Sequence, residues 1–300
     1  MEYRKQFIVE PGSRVKLDNI DPGFKDRHEN KESTATEIEH YRQRLFDLQY
    51  RLYAERKRSL LIVLQALDAG GKDGVIRHVM STVNPQGCRV ACFKKPTDEE
   101  AGHDFLWRIH RATPAKGEIA IFNRSHYEDV LVARVHHLVS KEVWSKRYAH
   151  IHHFEQLLHD SGVHILKFFL HISKAEQLAR FKERLDDPAK QWKISDADYE
   201  ERQYWDDYQA AFEDALSECS TPQAPWFVIP ANHKWFRDLA VSQILVETLE
   251  SLKMELPEPT VNLHQIRQKY HAAAAEAKKG GDANGSVPRN PSDVDIPYQE

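Results

Sequence analysis

Three cysteines in 300 residues are too few for a disulfide framework, and Cys88, Cys92 and Cys219 lack the paired spacing of a zinc site. Such sparse cysteine fits a reducing compartment, and the cytoplasm is the expected location. Long hydrophobic runs are missing too. No apolar stretch approaches the ~20 residues that cross a bilayer, and Met1-Glu2-Tyr3-Arg4-Lys5-Gln6 has no secretory core, so no membrane partner is expected. Excess positive charge is also absent. The 42 Lys and Arg face 46 Asp and Glu, for a net charge of −4. That balance excludes a global nucleic-acid footprint, so a polyanion partner must meet a local basic cluster. There is no internal repeat. What remains is 41% hydrophobic and 29% charged, a composition that supports a core and a solvated surface. The length admits one α/β domain with an insertion, or two small domains.

One run stands out. Ser59-Leu60-Leu61-Ile62-Val63-Leu64-Gln65 is a short apolar block behind Arg56, Lys57 and Arg58, the pattern of a strand buried on both faces. Asp68-Ala69-Gly70-Gly71-Lys72-Asp73-Gly74 follows, and then a segment with helical potential. Strand, glycine-rich turn, lysine and helix make a P-loop, or Walker A, construction. Glycines let backbone N–H groups approach phosphate oxygens, the helix N-terminus adds partial positive charge, and Lys72 adds a full one. Ala66 stands where the usual pattern has its first glycine, and Asp73 replaces the usual Ser or Thr. With Asp68, the turn carries its own acids, which are suited to a hard cation such as magnesium. An ordinary tight turn is the bland alternative. The candidate phosphate ligands here are Ala69, Gly70, Gly71, Lys72, Asp73 and Gly74.

In chain order, residues up to about Lys31 are polar and turn-rich and suggest a poorly regular arm. Ile38, Tyr41, Leu45, Leu48 and Leu52 predict a helix from near Thr34 to Arg58. Further strands are predicted at Cys88–Phe93, Glu118–Phe122, Val163–Ile172 and Ala224–Pro230. One helix is predicted from Asp98 to about Arg111, another after Ser140, and a closing one from Trp235 to about Leu252. His150, His152 and His153 fall on a solvated helix face rather than in a metal cluster. Lys94, Lys95 and Arg77 are weaker candidates for a phosphate track.

The third strand runs into Asn123-Arg124-Ser125-His126-Tyr127-Glu128-Asp129, a polar strand end of the kind that holds ligands in α/β sheets. A capping box at Ser173–Glu176 opens a helix with Leu178, Phe181 and Leu185 on one face and Arg180 and Arg184 on another. Lys190, Trp192 and Lys193 form a basic loop, and Ser195–Asp198 opens a helix with Tyr204, Tyr208 and Phe212. This insertion, about residues 173–208, is either a phosphate lid or a solvated helical hairpin.

The P-loop run, the Phe122–Asp129 block and the segment around Arg180, Arg184, Pro188, Lys190, Trp192 and Lys193 together resemble polyphosphate kinase type 2 over roughly residues 1–257. The resemblance implies a P-loop kinase fold like thymidylate kinase: a parallel five-stranded sheet with flanking helices and a helical lid. It implies phosphoryl transfer between inorganic polyphosphate and adenine or guanine nucleotides with Mg²⁺ or Mn²⁺, in a homodimer or homotetramer. Larger subgroups read Phe-Asp-Arg-Ser-Trp-Tyr-Asn-Arg at the strand end. Asn123, His126, Glu128 and Asp129 depart from that and look like the third subclass, which phosphorylates both mono- and diphosphates. The expected catalytic set is Asp68, Lys72, Asn123, Arg124, Glu128, Arg180 and Arg184, with Asp68 and Glu128 on the metal. An ATP-dependent nucleoside monophosphate kinase and a non-catalytic polyphosphate- or nucleotide-binding regulator are the competing hypotheses. Residues 258–300 are expected to be an extension, largely disordered from about Lys279.

Overall fold

The computed structural model describes residues 2–281. Five strands lie parallel in the order β2-β3-β1-β4-β5. They are β1 (Ser59–Gln65), β2 (Cys88–Cys92), β3 (Ile119–Asn123), β4 (Val163–His171) and β5 (Trp226–Pro230). Every residue of β1 is buried, as a central parallel strand requires. Its side chains alternate between two cores. Leu60, Ile62 and Leu64 pack with α2 (Ala35–Glu55), α3 (Lys72–Val79) and α11 (Lys234–Ser251). Leu61 and Val63 pack with α7 (Lys141–Asp160) and α10 (Trp205–Cys219). Each of these leucine, isoleucine or valine side chains contributes about 1.5–3 kcal/mol on burial.

Between α3 and α7 lie three one-turn helices, α4 (Asp98–Ala101), α5 (Trp107–His110) and α6 (Val132–Val135). A lid-like insertion after β4 comprises α8 (Lys174–Asp186) and α9 (Asp196–Gln203). The chain leaves β1 toward β3 and β2 on one side and reaches β4 and β5 on the other. The strand order therefore opens a crevice at the C-terminal end of β1, where ligands bind in such sheets.

Several sequence expectations are corrected. The arm is largely irregular but carries one short helix that anchors it: α1 (Tyr3–Phe7) buries Tyr3 and Phe7 against Phe236 and Phe24, and Ile8 bridges Phe227 of β5. The helix expected from Asp98 to Arg111 is two short ones. The Thr97–Glu100 capping box completes a single turn, and Asp104 Oδ1 accepts from Leu106 N to start another. The helix opened by Ser195 breaks at Tyr204. Of the apolar face expected on α8, Phe181 is buried, while Leu178 and Leu185 stay exposed.

After Leu256 the chain divides into a second unit. Its helix, α12 (Leu263–Gly281), carries helical backbone through residues 279–281, where order was expected to end. The rest of that expectation falls on 282–300, outside the described residues.

Candidate active site

The loop from Ala66 to Gly71 leaves β1 and turns straight into α3, which begins at Lys72. Gly71 caps that helix with φ +107°, a conformation that favours glycine. Gly74 is needed for a different reason: a Cβ there would lie 2.7 Å from Arg237 Nη2. Ala69 also adopts positive φ (+59°), a strained choice for a residue with a side chain. Its carbonyl accepts from Arg180 Nη1 at 2.8 Å, which holds the turn.

The loop floors a cleft of about 1380 Å³. Twelve Lys and Arg side chains line it against five Asp and Glu. A chain of net charge −4 thus gathers a strong local excess of cations at its P-loop. Of the residues expected here, Asp68 to Gly74, Lys94, Lys95, Asn123, Arg124, Arg180 and Arg184 all line the cleft. Arg77 does not; it lies exposed on the outer side of α3. Glu128 sits behind the wall, with Oε2 3.5 Å from Arg124 Nη1 and its side chain 16% exposed.

Lys72 Nζ donates to Ala66 O at 2.9 Å. Burial pushes its pKa below the ordinary lysine value and Arg124 pushes the same way, only partly offset by Asp68, Glu128 and Asp73. Arg124, at φ +62°, donates from Nη2 to Asp68 Oδ1 at 2.9 Å. One guanidinium therefore reaches both expected metal carboxylates, Asp68 and Glu128. Burial raises the Glu128 carboxyl above the usual range, against the pull of Arg124 and Lys72. Asn123 ends β3 opposite Leu64 and donates from Nδ2 to Asp73 Oδ1 at 2.9 Å.

The lid side differs from the expectation for Arg180. Its guanidinium is 5% exposed and is engaged by Glu176 Oε1 (2.8 Å) and by the carbonyls of Ala69, Ala231 and Asn232. Gln177 adds a bond from Nε2 to Asp68 O at 2.9 Å. The first half of α8 thus grips the P-loop backbone instead of standing free. Arg184 is partly exposed, with Nη1 3.2 Å from Lys193 O and 3.5 Å from Asp198 Oδ1.

Arg237 escaped the sequence pattern altogether. It is 2% exposed on α11 and packs under Gly71 and Gly74. Its Nε and Nη2 donate to Asp238 Oδ1 at 2.9 and 2.7 Å. The only signal was its place one turn after a strand-end loop, and many helix arginines share that. Lys190 and Lys234, also on the cleft, both reach Glu183, at 3.3 and 2.7 Å.

The metal expectation can be tested on donor chemistry. Asp68 and Glu128 offer oxygen only, as a hard cation prefers. Among the described residues, no group of three or more His, Cys, Asp or Glu side chains is arranged to hold a metal. Two carboxylates completed by water and phosphate oxygens would suit Mg²⁺, which rarely takes an all-protein cage. His150, His152 and His153 lie exposed on α7.

A parallel sheet ending in a glycine turn, a buried-side lysine and a cationic cleft defines a P-loop phosphotransferase. The family model for polyphosphate kinase 2 (PPK2) matches residues 28–257, and the chain belongs to that family. It is 54% identical over 263 residues to an AMP/ADP-polyphosphate phosphotransferase of Meiothermus ruber, covering 87% of this chain and 98% of that one. It is 48% identical to an ADP-polyphosphate phosphotransferase of Rhodopseudomonas palustris, covering 88% and 97%. Among solved structures it superposes on polyphosphate kinase 2 from Arthrobacter aurescens with a TM-score of 0.87, at 40% identity, over 91% of this chain and 97% of that one. Among the described residues, no helix is long and apolar enough to cross a membrane.

Proposed function

We propose that the chain transfers phosphoryl groups from inorganic polyphosphate to AMP and ADP, with Mg²⁺ or Mn²⁺, in a unit spanning residues 1–257. The observation that carries this is the cleft's lining of twelve cations against five acids, centred on the P-loop. A nucleotide donor needs a few cations and a base pocket, whereas a polyphosphate chain needs cations beyond the loop, and they are there. A cytoplasmic location and a homodimer or homotetramer complete the reading.

Phosphoryl transfer asks for alignment, charge neutralisation and a dry site. The N–H groups of Gly70 to Gly74 and the Lys72 ammonium hold the phosphates being cleaved. Asp68 and Glu128 would hold the cation, which would supply positive charge to offset that of the phosphates. Arg124, within reach of both carboxylates, moves onto the transferred group. Arg180 and Gln177 keep the Asp68–Ala69 backbone in place, so the lid cations left to meet polyphosphate are Arg184, Lys190 and Lys193. The acceptor phosphate is already anionic and needs no strong base. Asn123 ties down Asp73 and leaves the acidic role at the strand end to Glu128.

Incubating the protein with polyphosphate, Mg²⁺ and AMP should give ADP and then ATP, and ADP should give ATP. ADP formed only when ATP is supplied as donor would establish an ordinary monophosphate kinase. Tight binding without product would establish a regulator.

A pH dependence follows from Lys72. Its pKa is lowered in the free protein, so the ammonium is lost as pH rises through a value below the ordinary lysine range. The alkaline fall in kcat/KM, which reports the free enzyme, should therefore lie below the usual lysine pKa. Bound polyanion restores the charge, so the corresponding fall in kcat should lie at higher pH. Rate profiles at saturating and subsaturating polyphosphate measure both; coincident limbs would reject the assignment.

A further inference from the structure

Behind the site lies a buried charged cluster that phosphoryl transfer does not touch. Lys167, in the middle of β4, is fully buried. Its Nζ donates to Glu155 Oε2 at 2.6 Å, Tyr127 OH at 2.9 Å and Cys219 O at 2.6 Å. Glu155, buried on α7, accepts from Tyr127 OH at 2.9 Å, and its Oε1 lies 3.2 Å from His126 Nε2. One ammonium and one carboxylate therefore hold the two residues that immediately precede Glu128.

The neighbours of this turn are fixed as well. Ser125 Oγ accepts from Gln65 Nε2 at 3.1 Å and from Tyr127 N at 3.2 Å. Glu128 N donates to Ser125 O at 3.1 Å, and Arg147 Nη1 reaches Asp129 Oδ1 at 3.2 Å. The Lys167 ammonium also lies 5.3 Å from the centroid of the Trp226 ring.

A buried ion pair is a poor way to gain stability, because apolar residues of similar volume often do as well or better. What it adds over apolar packing is direction. Leucine and methionine tolerate sliding, while five short polar contacts converging on one pair do not. Two of the anchored groups are the His126 ring and the Tyr127 hydroxyl, so the constraint is delivered one residue from Glu128.

We propose that the Lys167–Glu155 pair, acting through His126 and Tyr127, is the positioning element that sets the Glu128 carboxylate beside Arg124 and toward Lys72. This rests on the reading of Glu128 as a metal-holding carboxylate. Lys167 and Glu155 are positioning residues; neither touches substrate.

The test compares Glu155→Leu/Lys167→Met, which replaces the pair with apolar side chains, and Tyr127→Phe, which removes one hydroxyl. Thermal unfolding, kcat, KM for ADP and polyphosphate, and direct Mn²⁺ binding by electron paramagnetic resonance are measured on each full-length chain. The double variant should stay folded, lose about 10- to 100-fold in kcat as a small displacement does, keep its KM values and bind Mn²⁺ more weakly. Tyr127→Phe should shift the same quantities in the same direction by less. Either variant, folded, with wild-type kcat and Mn²⁺ affinity would overturn the inference, as would a change confined to KM. If the double variant does not fold, Tyr127→Phe decides alone. Glu128→Gln separates the two levels: wild-type turnover there overturns the reading of Glu128 and the inference with it. An inactive Glu128→Gln beside a fully active, folded pair variant overturns the inference only.

Discussion

Lys72→Ala is expected to give a folded protein whose kcat is lower by about 10²–10³-fold, the size seen when one charge-stabilising donor is removed from a water-poor site. The side chain makes one hydrogen bond, to Ala66 O, and lines the cleft floor, so little of the fold depends on it. Its loss removes a positive charge from the floor of the cleft. Lys72→Arg should not rescue, because a planar fork does not fit where a compact ammonium sits among Ala66, Asp68 and Arg124. Steady-state kinetics with polyphosphate and ADP, alongside a thermal melt, separate the chemical defect from a folding one. Turnover within a few-fold of wild type would remove Lys72 from the mechanism.

Arg237→Ala is expected to act first on stability. The guanidinium is buried against Asp238, and removing it leaves that carboxylate without its partner in a site where burial already raises its pKa. Breaking a buried pair from one side costs about 3–5 kcal/mol. The space under Gly71 and Gly74 also empties, and the P-loop turn loses its floor. Urea unfolding should show the full loss in Arg237→Ala and a smaller one in Arg237→Ala/Asp238→Ala, where no charge is left stranded. Polyphosphate is expected to raise the melting temperature of the wild type and of neither variant. A single variant as stable as the wild type would mean that the pair does not support the loop.

These two residues mark the limits of what the sequence makes visible. Lys72 is legible because a strand, three glycines and a lysine are adjacent in the chain, and the physics of phosphate binding is written in that adjacency. The all-buried β1 is legible for the same reason: an unbroken apolar run has one good structural explanation. Arg237 is invisible because its meaning depends on α11 passing beneath the P-loop, a contact between positions more than 160 residues apart. Arg180 shows an intermediate case. Its place on the insertion was evident from the capping box and spacing, but its four engaged acceptors come from the P-loop, from the end of β5 and from α8 itself. Helical spacing could pair it with Arg184, and only the fold separates one buried clamp from one partly exposed cation. The break at Gly102–Leu106 is not legible because local caps outweigh a continuous helical pattern there, whereas at Tyr204 the helix breaks with no side-chain cap to mark it.

In the proposed reaction polyphosphate itself, held by Lys72 and the cationic cleft, gives its phosphoryl group directly to the nucleotide. Single-turnover transfer from ³²P-labelled polyphosphate tests it most directly, using wild-type protein in excess, Mg²⁺, unlabelled AMP or ADP, and no ATP. Label should appear in the β-phosphate of ADP from AMP and in the γ-phosphate of ATP from ADP. Label that enters nucleotide only after ATP is added, or never, would rule out direct transfer from polyphosphate.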